Sequence, residues 1–118
     1  MVQSSHLRVV FYSTSHGREP VREWLQGLDK NAEKAVRLAI ETVRLGWPVG
    51  MPITRSLGQG LWEVRTKTLR GQARVVFVFH QGMMVLLHGF IKKSAKTPRQ
   101  ELDIALTRSR DLVENRNK

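Results

Sequence analysis

The chain has 118 residues, of which 41% are apolar and 25% charged, with no cysteine and a formal net charge of +10. That length supports one compact domain with its own core, and the composition excludes wholesale disorder, fibrous repeats, a disulfide framework, a thiol nucleophile and Cys-ligated zinc. The N-terminus lacks the basic flank and long apolar run of a signal peptide, and no stretch approaches bilayer length, so a cytoplasmic protein that neither crosses nor enters a membrane is expected.

In chain order, the β-branched and aromatic run at residues 6–12 predicts a strand, closed by the turn Ser13-Thr14-Ser15-His16-Gly17. After Pro20, residues Val21, Trp24, Leu25 and Leu28 recur at helical spacing and predict a short helix. Asp29 stands where an N-cap belongs, ahead of Ala32, Ala35, Val36, Ala39, Ile40 and Val43, a longer helix stopped by Gly46 and Pro48. Each helix has one apolar face needing cover, so the two are expected as a helical hairpin laid on a sheet. Residues 49–60, rich in proline, glycine and polar side chains, read as a loop anchored by Leu57.

Residues 61–66 alternate, which places Trp62 and Val64 on one side of a strand and Glu63 and Arg65 on the other. Residues 67–72 then read as a turn around Gly71. The nearly continuous apolar runs 73–79 and 83–90, joined at Gln81-Gly82, predict a hairpin of two central strands, with Arg74 sharing a face with Val76 and Val78. Thr97-Pro98-Arg99-Gln100 supplies a threonine N-cap, a proline at the first helical position and a glutamine at the capping-box position; Leu102, Ala105, Leu106, Leu112 and Val113 continue as a helical stripe. The expected architecture is α+β: a small antiparallel β-sheet with an N-terminal helical hairpin and a C-terminal helix, in the order β-α-α-β-β-β-α. It forms a single domain over residues 1–114, with a loose tail at 115–118.

The charge is unevenly placed. Residues 1–54 hold seven basic and five acidic groups, whereas residues 55–118 hold thirteen basic and five acidic. Between Arg65 and Arg99 there are eight basic residues (Arg65, Lys67, Arg70, Arg74, Lys92, Lys93, Lys96, Arg99) and no acid. Such a field attracts phosphates. Charge alone is equally consistent with a solvated surface or with a patch for an acidic protein.

No Walker loop, dinucleotide fingerprint, nucleophile elbow or paired-histidine zinc motif occurs, and the four histidines, at 6, 16, 80 and 88, are too scattered to form a short metal-ligand motif; neither metal nor cofactor is expected. What remains is equipment for binding phosphate. RNA carries its own nucleophile, the 2′-hydroxyl, so a protein that cleaves it need only move protons and stabilise a more negative phosphorane. Arg65 and Arg74, on strands that can lie side by side, suit the non-bridging oxygens, and Lys92, Lys93 and Lys96 suit phosphate charge. Lys67, Arg70 and Arg99 extend the same basic surface toward flanking RNA. Candidates for proton transfer are His88, Glu63 and a lysine whose pKa its basic neighbours depress. His88 can equally be a hydrogen-bonded structural histidine, and Glu63 a partner for an arginine.

The runs Leu61-Trp62-Glu63-Val64-Arg65, Arg74-Val75-Val76-Phe77 and Leu86-Leu87-His88-Gly89-Phe90-Ile91-Lys92-Lys93, followed by Lys96-Thr97-Pro98 and a helix with Glu101 and Ala105, resemble the HigB-like branch of the RelE/ParE toxin superfamily in order and spacing. The resemblance implies a compact sheet flanked by helices and an endoribonuclease that cuts messenger RNA, typically on the ribosome, without metal or organic cofactor. It also implies a cognate antitoxin with a helix-turn-helix domain. One departure concerns the third-strand position after the arginine, where the family often has tyrosine or another aromatic: Phe77 and Phe79 carry no hydroxyl, and Tyr12, the only tyrosine, lies on the first strand. Some relatives in the superfamily poison DNA gyrase by protein contact instead, and a non-catalytic RNA-binding module is a third reading; fold does not choose among them.

Overall fold

The structure is a computed structural model that describes residues 6–92 and 97–116. Its elements are β1 (Arg8–Phe11), α1 (Pro20–Gln26), α2 (Lys30–Gly46), β2 (Thr54–Gly58), β3 (Leu61–Thr68), β4 (Gly71–His80), β5 (Met83–Lys92) and α3 (Arg99–Arg116). The five strands form one sheet in the order β1-β5-β4-β3-β2.

Four expectations need correction. Residues 54–58, read as loop, form an edge strand antiparallel to β3, with Arg55 opposite Glu63. An edge strand pairs on one side only, so it tolerates the flanking prolines and glycines that made this stretch look irregular. The sheet is also mixed: β1 runs parallel to β5, with Val10 opposite Val85. The observed order is therefore β-α-α-β-β-β-β-α, one strand longer than expected. The turn expected at 67–72 shrinks to Leu69 and Arg70, because β3 and β4 pair out to Thr68 and Gly71. At the C-terminus α3 runs through Arg116, two residues into the expected tail; residues 117–118 lie outside those described.

The two faces of the sheet bury different helices. α1 and α2 cover one face through Val21, Leu25, Val36, Ile40 and Val43, which meet Val64, Val75, Phe77 and Leu86. Asp29 caps α2 as expected, its side chain accepting from the Ala32 amide at 2.8 Å, a bond worth roughly 1 kcal/mol. α3 covers part of the other face, where Ala105 and Leu112 pack with Leu61, Val76, Val85 and Leu87. A register shift between Val76 and Phe77 leaves Leu87 without an opposite residue on β4, a bulge in β5. Strict alternation thus fails there, and His88 points to the same side as Leu87.

Gly89 shows how tightly the α1 layer is set. A Cβ at this position would lie 2.3 Å from the Trp24 ring, so the indole packs directly on bare backbone. Gly89→Ala must displace Trp24 from the core edge, an overpacking cost of about 1–3 kcal/mol. A matching drop in the urea midpoint is expected; an unchanged midpoint would contradict the contact.

Candidate functional site

On the α3 side of the sheet, alternation brings together Glu63 and Arg65 from β3, Gln72 and Arg74 from β4, and Lys92 from β5. Arg65 lies directly opposite Arg74, and Gln72 opposite Lys92. Like charges opposed across an antiparallel pair destabilise it, so this register needs a counter-charge. Glu63 supplies it. Its side chain is fully buried, with Oε1 3.5 Å from Arg74 Nε and 3.8 Å from Arg65 Nε. Its other oxygen accepts a hydrogen bond from Thr97 Oγ1 at 2.9 Å.

The cluster is charged but incompletely satisfied. Arg74 is 1% exposed; its terminal nitrogens donate to the Ala73 carbonyl at 3.3 Å and to Gln72 Oε1. Glu63 Oε1, Arg65 Nε and Arg74 Nε, the three atoms that face one another, have no hydrogen-bond partner. Burial pushes the Arg74 guanidinium below its ordinary pKa, opposed by Glu63 and reinforced by Arg65 and Arg55. Lys92, 4% exposed, is pushed down first by burial and then by Arg74, with Arg65 and Arg55 adding to the effect and Glu63 opposing it. One carboxylate among four cations leaves a strong surplus of positive charge. The two buried Nε–H groups share this one carboxylate oxygen at ion-pair distance, without a hydrogen bond from either.

The arginines open outward into a cleft of about 430 Å³ lined by Pro52, Arg65, Thr66, Lys67, Gln72 and Arg74. Arg65, with a fifth of its side chain exposed, is the accessible member of the pair. A larger groove of about 810 Å³ lies on the opposite face of the sheet, beside β1 and α2. Its walls include Val9, Phe11, Leu38 and Ile40, and its charged rim holds two ion pairs, Glu33 with Arg37 at 2.9 Å and Glu41 with Arg44 at 2.6 Å, beside Lys30 and Lys34. No unsatisfied buried polar atom lines it among the described residues. Of the two, only the smaller cleft is lined by residues with unsatisfied buried polar atoms, Arg65 and Arg74.

His88 shares this face but is bound to α3. Its Nε2 lies 2.5 Å from Glu101 Oε1, and Arg108 approaches its Nδ1 at 3.3 Å while also donating to the Leu87 carbonyl at 2.8 Å. Arg108 can only donate, so Nδ1 accepts and Nε2 carries the proton toward Glu101. The ring is thus a neutral strut between β5 and α3. Burial pushes its pKa below the ordinary 6.5, although Glu101 opposes this. Between the two values the unfolded chain binds more protons, so this contribution to stability is complete above about pH 6.5 and is lost as pH falls through the lowered folded value. Lowering pH from about 7 to about 5 is expected to reduce the urea midpoint more in the wild type than in His88→Gln; parallel pH curves would contradict the assignment.

Of the other anticipated residues, Lys67 is exposed and lines the cleft. Arg70 sits at the β3–β4 turn, 3.4 Å from Asp29, and Arg99 pairs with Asp103 at 3.2 Å within α3; neither joins the arginine cluster. Lys93 and Lys96 lie outside the described residues. Sequence reasoning missed Arg55, Gln72 and the use made of Thr97. The threonine-proline-x-glutamine pattern marks the approach to α3, yet the helix starts at Arg99 and the Thr97 hydroxyl bonds to Glu63 instead of capping it. Among the described residues no three His, Asp or Glu side chains converge to hold a metal, and no helix is long and apolar enough to cross a membrane.

Compared with known proteins, residues 23–110 match the family model described as Phage derived protein Gp49-like (DUF891), a span that runs from within α1 through most of α3 and takes in every member of the cluster. No curated protein matches the chain.

Proposed function

The chain belongs to the Gp49-like family of phage-derived proteins, and from that premise we propose that it is the toxin of a type II toxin–antitoxin pair, a HigB-like endoribonuclease of the RelE kind. Its substrate is messenger RNA, on the ribosome, and its nucleophile is the RNA's own 2′-hydroxyl. The observation that carries this reading is the opposed pair Arg65 and Arg74, whose Nε donors are unsatisfied at the edge of a cationic cleft.

In the reaction, the 2′-oxygen attacks the adjacent phosphorus and the bond from phosphorus to the 5′-oxygen breaks. One fragment ends in a 2′,3′-cyclic phosphate and the other begins with a 5′-hydroxyl. Charge builds on the non-bridging oxygens between these events, where fixed arginine donors stabilise it most. Arg65 reaches the phosphate directly, Arg74 forms the floor behind it, and Lys67 meets a flanking phosphate. A proton must leave the 2′-hydroxyl and another must reach the departing oxygen. Lys92 is the side chain suited to such exchange, because burial and then the neighbouring Arg74 lower its pKa from the ordinary lysine value. Glu63 and His88, the other candidates for this task, are occupied as counter-charge and strut. The cognate antitoxin, with a helix-turn-helix domain, is part of the same reading.

Purified protein incubated with messenger RNA, with and without ribosomes, is expected to yield fragments ending in 2′,3′-cyclic phosphate. Intact RNA under both conditions would refute the activity. RNA affinity should also fall steeply between low and physiological salt as counterions are released, and a flat dependence would remove the cleft as the binding surface.

A further inference from the structure

Thr97 is placed like a helix cap, but the first backbone bonds of α3 run from Glu101 and Leu102 to the Pro98 carbonyl at 3.1 Å, and the Thr97 hydroxyl crosses to the sheet to reach Glu63 Oε2 at 2.9 Å. That bond fixes one oxygen of a fully buried carboxylate. The other then stands between Arg74 Nε at 3.5 Å and Arg65 Nε at 3.8 Å, hydrogen-bonded to neither. A carboxylate free to turn would close on one arginine in the forked, two-bond geometry that such pairs favour. That arginine would lose its donors to the carboxylate, and its opposite number would be left facing a like charge without compensation.

We infer that Thr97 is a positioning residue: its hydroxyl holds Glu63 midway between Arg65 and Arg74, so that neither guanidinium is drawn into a two-bond pair with it and Arg65, the accessible member, stays turned to the substrate phosphate with Arg74 behind it. This rests on the RNA-cleavage reading for its consequence, but the geometry it describes exists without substrate. It also makes the phosphate grip depend on how the approach to α3 sits against the sheet. The competing explanation is that Thr97 merely satisfies a buried carboxylate, in which case its loss lowers stability and leaves the chemistry of the folded protein unchanged.

Thr97→Val removes the hydroxyl at nearly constant shape, and Thr97→Ser keeps it. In the valine variant kcat for RNA cleavage should fall at least about tenfold, with KM little changed, as expected when reacting groups are misplaced but binding charge is retained. The Nε–H resonances of Arg65 and Arg74, read by NMR in the protein without RNA, should both shift, one toward a stronger hydrogen bond. Thr97→Ser should restore rate and resonances together. Wild-type kcat with unshifted Nε–H signals in folded Thr97→Val, or a serine variant as impaired as the valine, would overturn the inference. Should the wild type fail to cleave RNA, the functional reading falls while the resonances still decide the role of Thr97. Should valine disturb folding, Thr97→Ala makes the same deletion without a branched side chain.

Discussion

Arg65→Ala is expected to lower RNA cleavage by about 10²–10³-fold, the usual consequence of removing one fixed donor from a developing oxyanion, while the protein stays folded. The two effects separate because of where Arg65 sits. A fifth of its side chain is exposed, and its Nε is the farther of the two from Glu63, so its removal leaves the buried ion pair with Arg74 in place. Arg65→Lys should recover little of the lost rate, since an ammonium offers a point charge where the guanidinium offers a planar fork. Single-turnover cleavage of a short RNA, alongside urea unfolding of each variant, makes the comparison. Wild-type cleavage by Arg65→Ala would remove this residue from the phosphate site.

Arg74 carries the opposite expectation, because it is buried against a buried carboxylate. Arg74→Met deprives Glu63 of its nearer arginine and is expected to cost about 3–5 kcal/mol of stability. Adding Glu63→Gln keeps an acceptor for Thr97 but removes the stranded charge, and the double variant should recover a large part of that loss without recovering cleavage. Urea titrations of the two single variants and the double close the thermodynamic cycle. Additive losses would show that Glu63 and Arg74 do not act as a pair.

Much of this site was legible because strands alternate. The pattern in residues 61–66 was enough to put Glu63 and Arg65 on one face, and Arg74 ahead of an apolar run was enough to mark it. What the pattern could not convey is register, which decides that Arg65 faces Arg74 and that Gln72 faces Lys92. β2 was missed because prolines and glycines flank a five-residue edge strand in which only Thr54 is buried, so it lacks the apolar signature of an interior strand. The parallel pairing of β1 with β5 is likewise a long-range contact with no local trace. His88 was legible as a hydrogen-bonded structural histidine, but its partners Glu101 and Arg108 were not, because they come from a helix distant in sequence. Thr97 shows the converse: a local pattern that reads as an N-cap with proline at the first helical position, whereas α3 starts at Arg99 and the hydroxyl is claimed by a tertiary contact.

An RNA carrying a single 2′-deoxy substitution immediately 5′ to its mapped cut tests the central chemistry most directly. The substituted linkage should survive while the same sequence in all-ribose form is cut there, because the only nucleophile has been removed. Cleavage that persists at the deoxy linkage would contradict attack by the 2′-hydroxyl.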